Sequence, residues 1–244
     1  MRNTVALLLT ILFLQTCLSQ EVQNNSPNIA VKWAPTGLAL GSLTFQGEYN
    51  MGGKSSLTAN IGIPVRARHS FDYEGDDTEF EMKATSFLAG YRMYFSKKRH
   101  LRGLYLEPYF KYVHHSSEGE AKSTLGGRAV RMSFTNDYSG AGVGAQLGAQ
   151  FMIKKRFVID LFFLGPEINS ATNNFRAVEA SATIPWTFIE ASEAERDIRE
   201  FIDQFPFIRR KTRIMVDKDN KSVSADFKGA LPGLRVGVSF GFAF

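Results

Sequence analysis

Leu234-Arg235-Val236-Gly237-Val238-Ser239-Phe240-Gly241-Phe242-Ala243-Phe244, at the end of the sequence, decides the fold. Leu234, Val236, Val238, Phe240, Phe242 and Phe244 fall on one face of an extended chain, and Arg235, Gly237, Ser239, Gly241 and Ala243 on the other. Side chains alternate across a strand, so this is an apolar row at period two. In water a bare aromatic strand of this kind aggregates. In hydrocarbon the row is solvated. Phe240, Phe242 and Phe244 then match the aromatic terminal signal by which barrel-insertion machinery recognises bacterial outer-membrane barrels.

The alternation recurs upstream. Leu43, Phe45 and Tyr49 form one such row, as do Leu57, Ala59, Ile61, Ile63 and Val65. So do Phe87, Ala89, Tyr91, Met93 and Phe95, then Leu104, Leu106, Phe110 and Tyr112, then Phe157, Ile159, Leu161 and Phe163. In Ser139–Phe151, SGAGVGAQLGAQF, the row is Val143, Ala145, Leu147, Ala149 and Phe151, and the opposite face is Gly140, Gly142, Gly144, Gln146, Gly148 and Gln150. A dinucleotide fingerprint requires glycine where Leu147 stands and a helix after it. Nucleotide binding is therefore excluded, and the glycines are expected to make room inside a narrow barrel.

These rows predict strands near 40–50, 55–68, 82–95, 103–115, 137–152, 157–168 and 233–244, with Pro64 and Pro108 at bulges or strand ends. A sheet in a bilayer must close, and single-chain bacterial barrels have even strand numbers, so Ile29–Trp33 is taken as the eighth. Short connections at 51–54, 96–102 and 153–156 alternate with long ones at 69–81, 116–136 and 169–232, as periplasmic turns and extracellular loops do. The expected fold is all-β: an eight-stranded antiparallel transmembrane up-and-down barrel over 28–244, with 169–232 as an extracellular cap insert.

The N-terminal region fits export. Met1-Arg2-Asn3 carries one positive charge, Val5–Leu14 is apolar, and Cys17-Leu18-Ser19 offers small residues before a cleavage site. Residues 1–19 are read as a signal peptide and 20–27 as a linker. Gln15-Thr16 ahead of Cys17 suit a lipoprotein signal poorly. Cleavage removes the single cysteine, so no disulfide is expected. The net charge of +5 points to phosphorylated lipid headgroups rather than nucleic acid in an exported protein.

Residues 31–49, VKWAPTGLALGSLTFQGEY, resemble the opening of a family of small, largely uncharacterised outer-membrane barrels of Gram-negative bacteria. Lys32, Pro35, Gly41, Ser42 and Glu48 carry the match. The resemblance covers the barrel and not the 169–232 insert. It implies location and architecture, not a reaction.

The inward rows contain Glu48, Arg66, Arg92, Glu107, Lys111, Asp160 and Arg235, expected to pair as a network that plugs the lumen, since buried charges are costly alone. The sharpest catalytic candidates are His114, His115, Ser116, Ser117 and Glu118. A His two residues from a Ser on one strand face, with a nearby carboxylate, suits general-base activation of a hydroxyl, as in small outer-membrane lipid A deacylases. The preferred reading of these residues is a strand simply leaving the membrane in polar residues.

Met51-Gly52-Gly53-Lys54-Ser55 lacks the first glycine of a phosphate loop and reads as a hairpin. Asp217-Lys218-Asp219-Asn220-Lys221 lacks calcium-loop ligands and reads as a turn between Thr212–Val216 and Ser222–Phe227. No metal or cofactor is expected. Ser192-Glu193-Ala194-Glu195 is a capping box opening an amphipathic helix at about 193–205, with Ile198, Phe201, Ile202 and Phe205 as its apolar stripe. Its acidic face argues against anionic lipid. Arg209-Arg210-Lys211 with Arg213 are candidate ligands of lipopolysaccharide phosphates. The functional expectation is a non-enzymatic barrel with a structural or surface-interaction role, monomer favoured. A rim lipid A hydrolase and a small-solute channel are the alternatives.

Overall fold

The structure, a computed structural model, describes residues 27–73, 76–96, 101–180 and 184–244. The expected signal peptide and most of the linker lie outside them. Ten strands follow in chain order: β1 (Ile29–Ala34), β2 (Ser42–Asn50), β3 (Ser55–Pro64), β4 (Ala67–Tyr73), β5 (Asp76–Tyr94), β6 (Gly103–Leu125), β7 (Arg128–Ile153), β8 (Phe157–Glu179), β9 (Thr212–Asp217) and β10 (Ser222–Ala243). Helix α1 (Phe188–Asp203) and the single turn α2 (Pro206–Arg209) lie between β8 and β9, and a 3-10 turn, Pro35–Leu40, joins β1 to β2.

Eight strands close a ring in the order β1, β2, β3, β5, β6, β7, β8, β10, all antiparallel, with β10 returning to β1. From Trp33 the register runs through Phe45, Ile61, Phe87, Tyr112, Ala141, Ser170 and Ala230, while Trp33 itself pairs with Phe240. The offset between 230 and 240 is the shear, ten residues. Eight strands with that shear tilt by roughly 40°, so each residue adds about 2.5 Å of height.

The outward row is apolar only over the lower part of the wall. On β6 it runs Leu104, Leu106, Pro108, Phe110, Tyr112 and then turns to His114, Ser116, Glu118, Glu120 and Lys122. On β10 it runs up from Phe242 and Phe240 through Val236 and Leu234 to Pro232 before Lys228 and Asp226. The resulting belt is about 25 Å tall, the height of the apolar band of a bacterial outer-membrane barrel. One irregularity serves it. The register slips against β8 on both sides, and the bulge leaves Phe163 and Leu164, 55% and 47% exposed, side by side on the outer face.

Above the belt the molecule departs from the sequence expectation. In the segments expected as loops, the described residues of 69–81 are strand, as is 116–136 outside one turn: β4 pairs with the first half of β5, and β6 meets β7 at a two-residue turn, Gly126-Gly127, both with positive φ. The insert is correspondingly shorter than 169–232, lying between Glu179 and Ser222. β9 adds to β10 on the far edge, and Asp217 closes their turn by accepting from the backbone N–H of Asp219 and Asn220. A curved sheet thus rises from one side of the barrel, while β1, β2 and β3 stop low.

Helix α1 packs on the concave face of this sheet. Trp186, Ala194 and Ile202 are buried, and Trp186 and Ala194 cluster with Leu125, Val130, Met132, Ala177 and Val223. The helix begins five residues before the expected start. Its N-cap is Thr187, whose side chain accepts from Glu190 N while the Glu190 carboxylate accepts from Thr187 N. Two Ser/Thr-x-x-Glu boxes compete in the sequence. The earlier one prevails because Glu190 also takes the Arg128 guanidinium from the β6–β7 tip, at 2.8 Å.

Candidate functional site

The inward row of the barrel is the polar one. Lys32 from β1 sits at the centre of its lower storey, donating to Glu48 at 2.8 Å, Gln150 at 2.7 Å and Asp160 at 2.7 Å. Arg92 from β5 reaches the same three groups and forms a second, two-nitrogen contact with Glu107. The Tyr105 ring lies 3.7 Å beneath its guanidinium. Tyr94 donates to Glu48, Tyr105 to Asp160 and Thr58 to Glu107. Lys32, Arg92, Glu107, Gln150 and Asp160 are at most 1% exposed, so this storey is tightly packed.

A second storey stands above it. Lys111 pairs with Glu167, which also accepts from Tyr109 at 2.9 Å and Asn169 at 3.1 Å. Arg235 stacks on Phe162 at 4.4 Å and donates to Gln146, which in turn donates to Glu107. Gln146 therefore couples Arg235 to a carboxylate it does not touch. Among the described inward residues of the belt, Lys32, Arg92, Lys111 and Arg235 face Glu48, Glu107, Asp160 and Glu167. The cations and carboxylates balance.

Three placements differ from the sequence reading. Arg66 is not in the lumen; it lies outside, 69% exposed and 3.9 Å from Glu81, because β3 ends at Pro64 and the alternation loses phase before β4 begins. Lys32 and Glu167 belong to the network and were not foreseen there. Extending the alternation of Ile29, Val31 and Trp33 places Lys32 inward, whereas the bulge at Phe163 and Leu164 hides the inward phase of Glu167.

The glycines of β7 face inward against the tyrosines of the neighbouring strand rather than those across the barrel. A Cβ on Gly144 would stand 2.6 Å from the Tyr109 ring, and one on Gly148 would overlap the Tyr105 ring. Gly148 pairs with Tyr105 and Gly144 with Tyr109. Each tyrosine lies flat over a glycine and sends its hydroxyl into the network.

The rim candidates divide between faces. His115 and Ser117 point inward, and His115 contacts the Tyr138 ring at 5.8 Å. His114, Ser116 and Glu118 point outward just above the belt. His114 meets Ser139 of β7, its Nδ1 2.9 Å from Oγ, rather than Ser116. Glu118 stands opposite Glu81 and Thr135, with no hydrogen bond to either histidine among the described residues. A hydroxyl and an imidazole meet there, and among the described residues no carboxylate hydrogen-bonds the ring to orient it.

Closure, shear and wall polarity define an eight-stranded β-barrel with a filled lumen. No family model matches the chain, and no curated protein matches it. Among solved structures, the crystal structure of Acinetobacter baumannii CarO aligns with 92% of this chain and 100% of that one, at 9% identity and a TM-score of 0.37.

Proposed function

We propose that the protein is an integral outer-membrane barrel, closed by its own ion pairs, that serves a structural or surface-interaction role through its extracellular sheet and cap. The carrying observation is the outward row, apolar for one bilayer thickness and polar above it on the same strands. Hydrocarbon solvates the first part and water the second. The end bearing Phe244 and the short turns is periplasmic, and the tall sheet extracellular. The buried, charge-balanced storey favours a closed barrel over a solute channel.

The test is threefold. Purified protein should need detergent, and unboiled samples should migrate differently from boiled ones in a denaturing gel. Liposomes containing it should not swell in small sugars. Swelling at porin-like rates would overturn the closed lumen, and solubility without detergent would overturn the location. The His114–Ser139 contact keeps a lipid A hydrolase as the second reading. That reading requires a change in lipid A mass on expression, abolished by His114→Ala.

A further inference from the structure

The short connections at the Phe244 end of the barrel, 51–54, 95–102 and 153–156, contain cations and no carboxylate. Lys54 stands in the β2–β3 turn, Arg102 at the end of the β5–β6 connection, and Lys154, Lys155 and Arg156 between β7 and β8. All five are exposed, and Lys54, Arg102, Lys154 and Lys155 have no ion-pair partner among the described residues. Each connection is tied to the barrel by its backbone. The Lys54 carbonyl accepts from Tyr94 N at 2.7 Å, the Leu101 carbonyl from the Gln150 amide at 3.0 Å, and the Arg156 carbonyl from Ala243 N at 2.7 Å. Glu48 and Asp160, on the inner side of the same end, are buried and held by Lys32 and Arg92. The exposed carboxylates of the wall, Glu79, Glu118, Glu120 and Asp137, belong to its upper half.

The β7–β8 turn keeps its lysines against the preference of its backbone. Arg156 N donates to Ile153 O at 3.1 Å across Lys154 and Lys155, whose φ values are +50° and +59°. Two left-handed central residues make a type I′ turn, which favours Asn-Gly or Gly-Gly. The β6–β7 hairpin meets the same demand with Gly126-Gly127, at φ +60° and +74°. A Cβ in the left-handed region crowds its own backbone, so two lysines cost stability that Asn-Gly would avoid. Local folding does not account for Lys154-Lys155; their side chains must.

Their height supplies the role. Lys154 directly follows Ile153, the last outward apolar residue of β7, and Phe151 and Ile153 are both exposed. The Phe157 and Phe242 rings meet edge to face at 5.8 Å at the foot of β8 and β10, and Phe95 and Phe244 are exposed at the ends of their strands. Aromatic side chains closing an apolar wall, with lysines immediately beyond, are the chemistry of a membrane–water interface. We propose that this rim binds anionic phospholipid of the periplasmic leaflet, with headgroup phosphates on Lys154 and Lys155 and further anionic headgroups at Lys54 and Arg102. The partner is lipid rather than cell wall, because Lys154 and Lys155 stand one and two residues past the apolar row and reach headgroups, not the space beyond them. The inference rests on the transmembrane reading above.

The test is native mass spectrometry of the full chain in detergent, doped equally with phosphatidylglycerol and phosphatidylethanolamine of the same acyl chains. Wild type should retain the anionic lipid over the zwitterionic one by about tenfold or more. K154N/K155G gives the turn the pair its backbone favours, so the urea midpoint of the gel-shifted form should rise while the lipid preference falls. Equal retention by wild type, or an unchanged preference in the variant, overturns the inference. A variant midpoint at or below that of wild type overturns it too, since the lysines would then serve the turn itself. Cosedimentation of wild type with purified cell-wall sacculi, without a lipid preference, would assign the rim to the wall and overturn the lipid. The wild-type comparison needs no variant to fold. Heat-modifiable migration reports the barrel separately: a normal gel shift without lipid preference sinks this inference alone.

Discussion

The lower and upper halves of the same strands are built inside out with respect to each other. Along β6 and β7 the inward row begins with Tyr105, Glu107, Tyr109, Gln146 and Gln150 and ends with Leu125, Val130 and Met132 under the cap. The outward row begins apolar and ends charged. Neither of these two strands changes its alternation at the crossover; what changes is the medium that each face suits. On the proposed transmembrane reading, hydrocarbon lies outside below, and the polar groups must satisfy one another within. Above, water lies outside and helix α1 supplies the apolar partner within. Burial here follows from which side faces which medium, not from residue type.

The sharpest way to break that contrast is to remove a charge from each half. Arg92→Ala strands Glu48, Glu107 and Asp160 with Lys32 alone among the cations of the lower storey, and should cost about 3–5 kcal/mol. Arg131→Ala, which removes an exposed ion pair with Glu120 at 3.6 Å, should cost under about 0.5 kcal/mol. Urea titration of the gel-shifted form in detergent measures both. Equal effects would mean that the lower storey is wet. A charge added outside inverts the test. Leu161→Arg, in the middle of the belt, should cost about 2–4 kcal/mol in a bilayer, whereas Thr172→Arg, farther up the outward row of β8, should be near zero.

The two halves were unequally legible in the sequence for the same reason. Period-two apolar rows exist only within the belt, so the belt strands, the closure and the eighth strand at Ile29 could be read. His114–Leu125, HHSSEGEAKSTL, has no apolar row to betray a strand, and its pairing with β7 is specified by tertiary contact. The ion-pair network was readable wherever the alternation held phase and lost where it slipped, at Pro64 for Arg66 and at the β8 bulge for Glu167. The helix was visible by its period, but its start depended on Arg128, some sixty residues upstream.

Glycines sharpen the comparison at smaller amplitude. Gly148→Ala should cost about 1–3 kcal/mol because its methyl meets the Tyr105 ring, and Tyr105→Leu should relieve part of that cost in the double variant. Gly127 in the upper half has open space around its Cβ position but a φ of +74°. Gly127→Ala should cost roughly 1 kcal/mol through the backbone alone, with no neighbour able to rescue it, while Gly127→Asn should recover most of it.

The smallest effect is also the most local, since it should release the cap and leave the barrel intact. Hydrogen bonding from the Thr187 backbone, and then the Arg128 guanidinium, hold the Glu190 carboxyl at about 2 against the usual 4.5. Arg128 likewise depresses Glu179, which also accepts from the Trp186 indole at 2.6 Å. Carboxyls depressed in the folded state stabilise it fully above their unfolded values and lose that contribution as pH falls toward the folded ones. The cap should therefore loosen between about pH 4.5 and 2, read as pepsin cleavage within 184–211 while the gel-shifted barrel persists. Arg128→Gln should admit cleavage already at the upper end of that window. Cleavage of the barrel strands at the same pH as the cap would mean that the two halves unfold as one unit, and that the lower ion pairs, not the solvent outside them, set the acid limit.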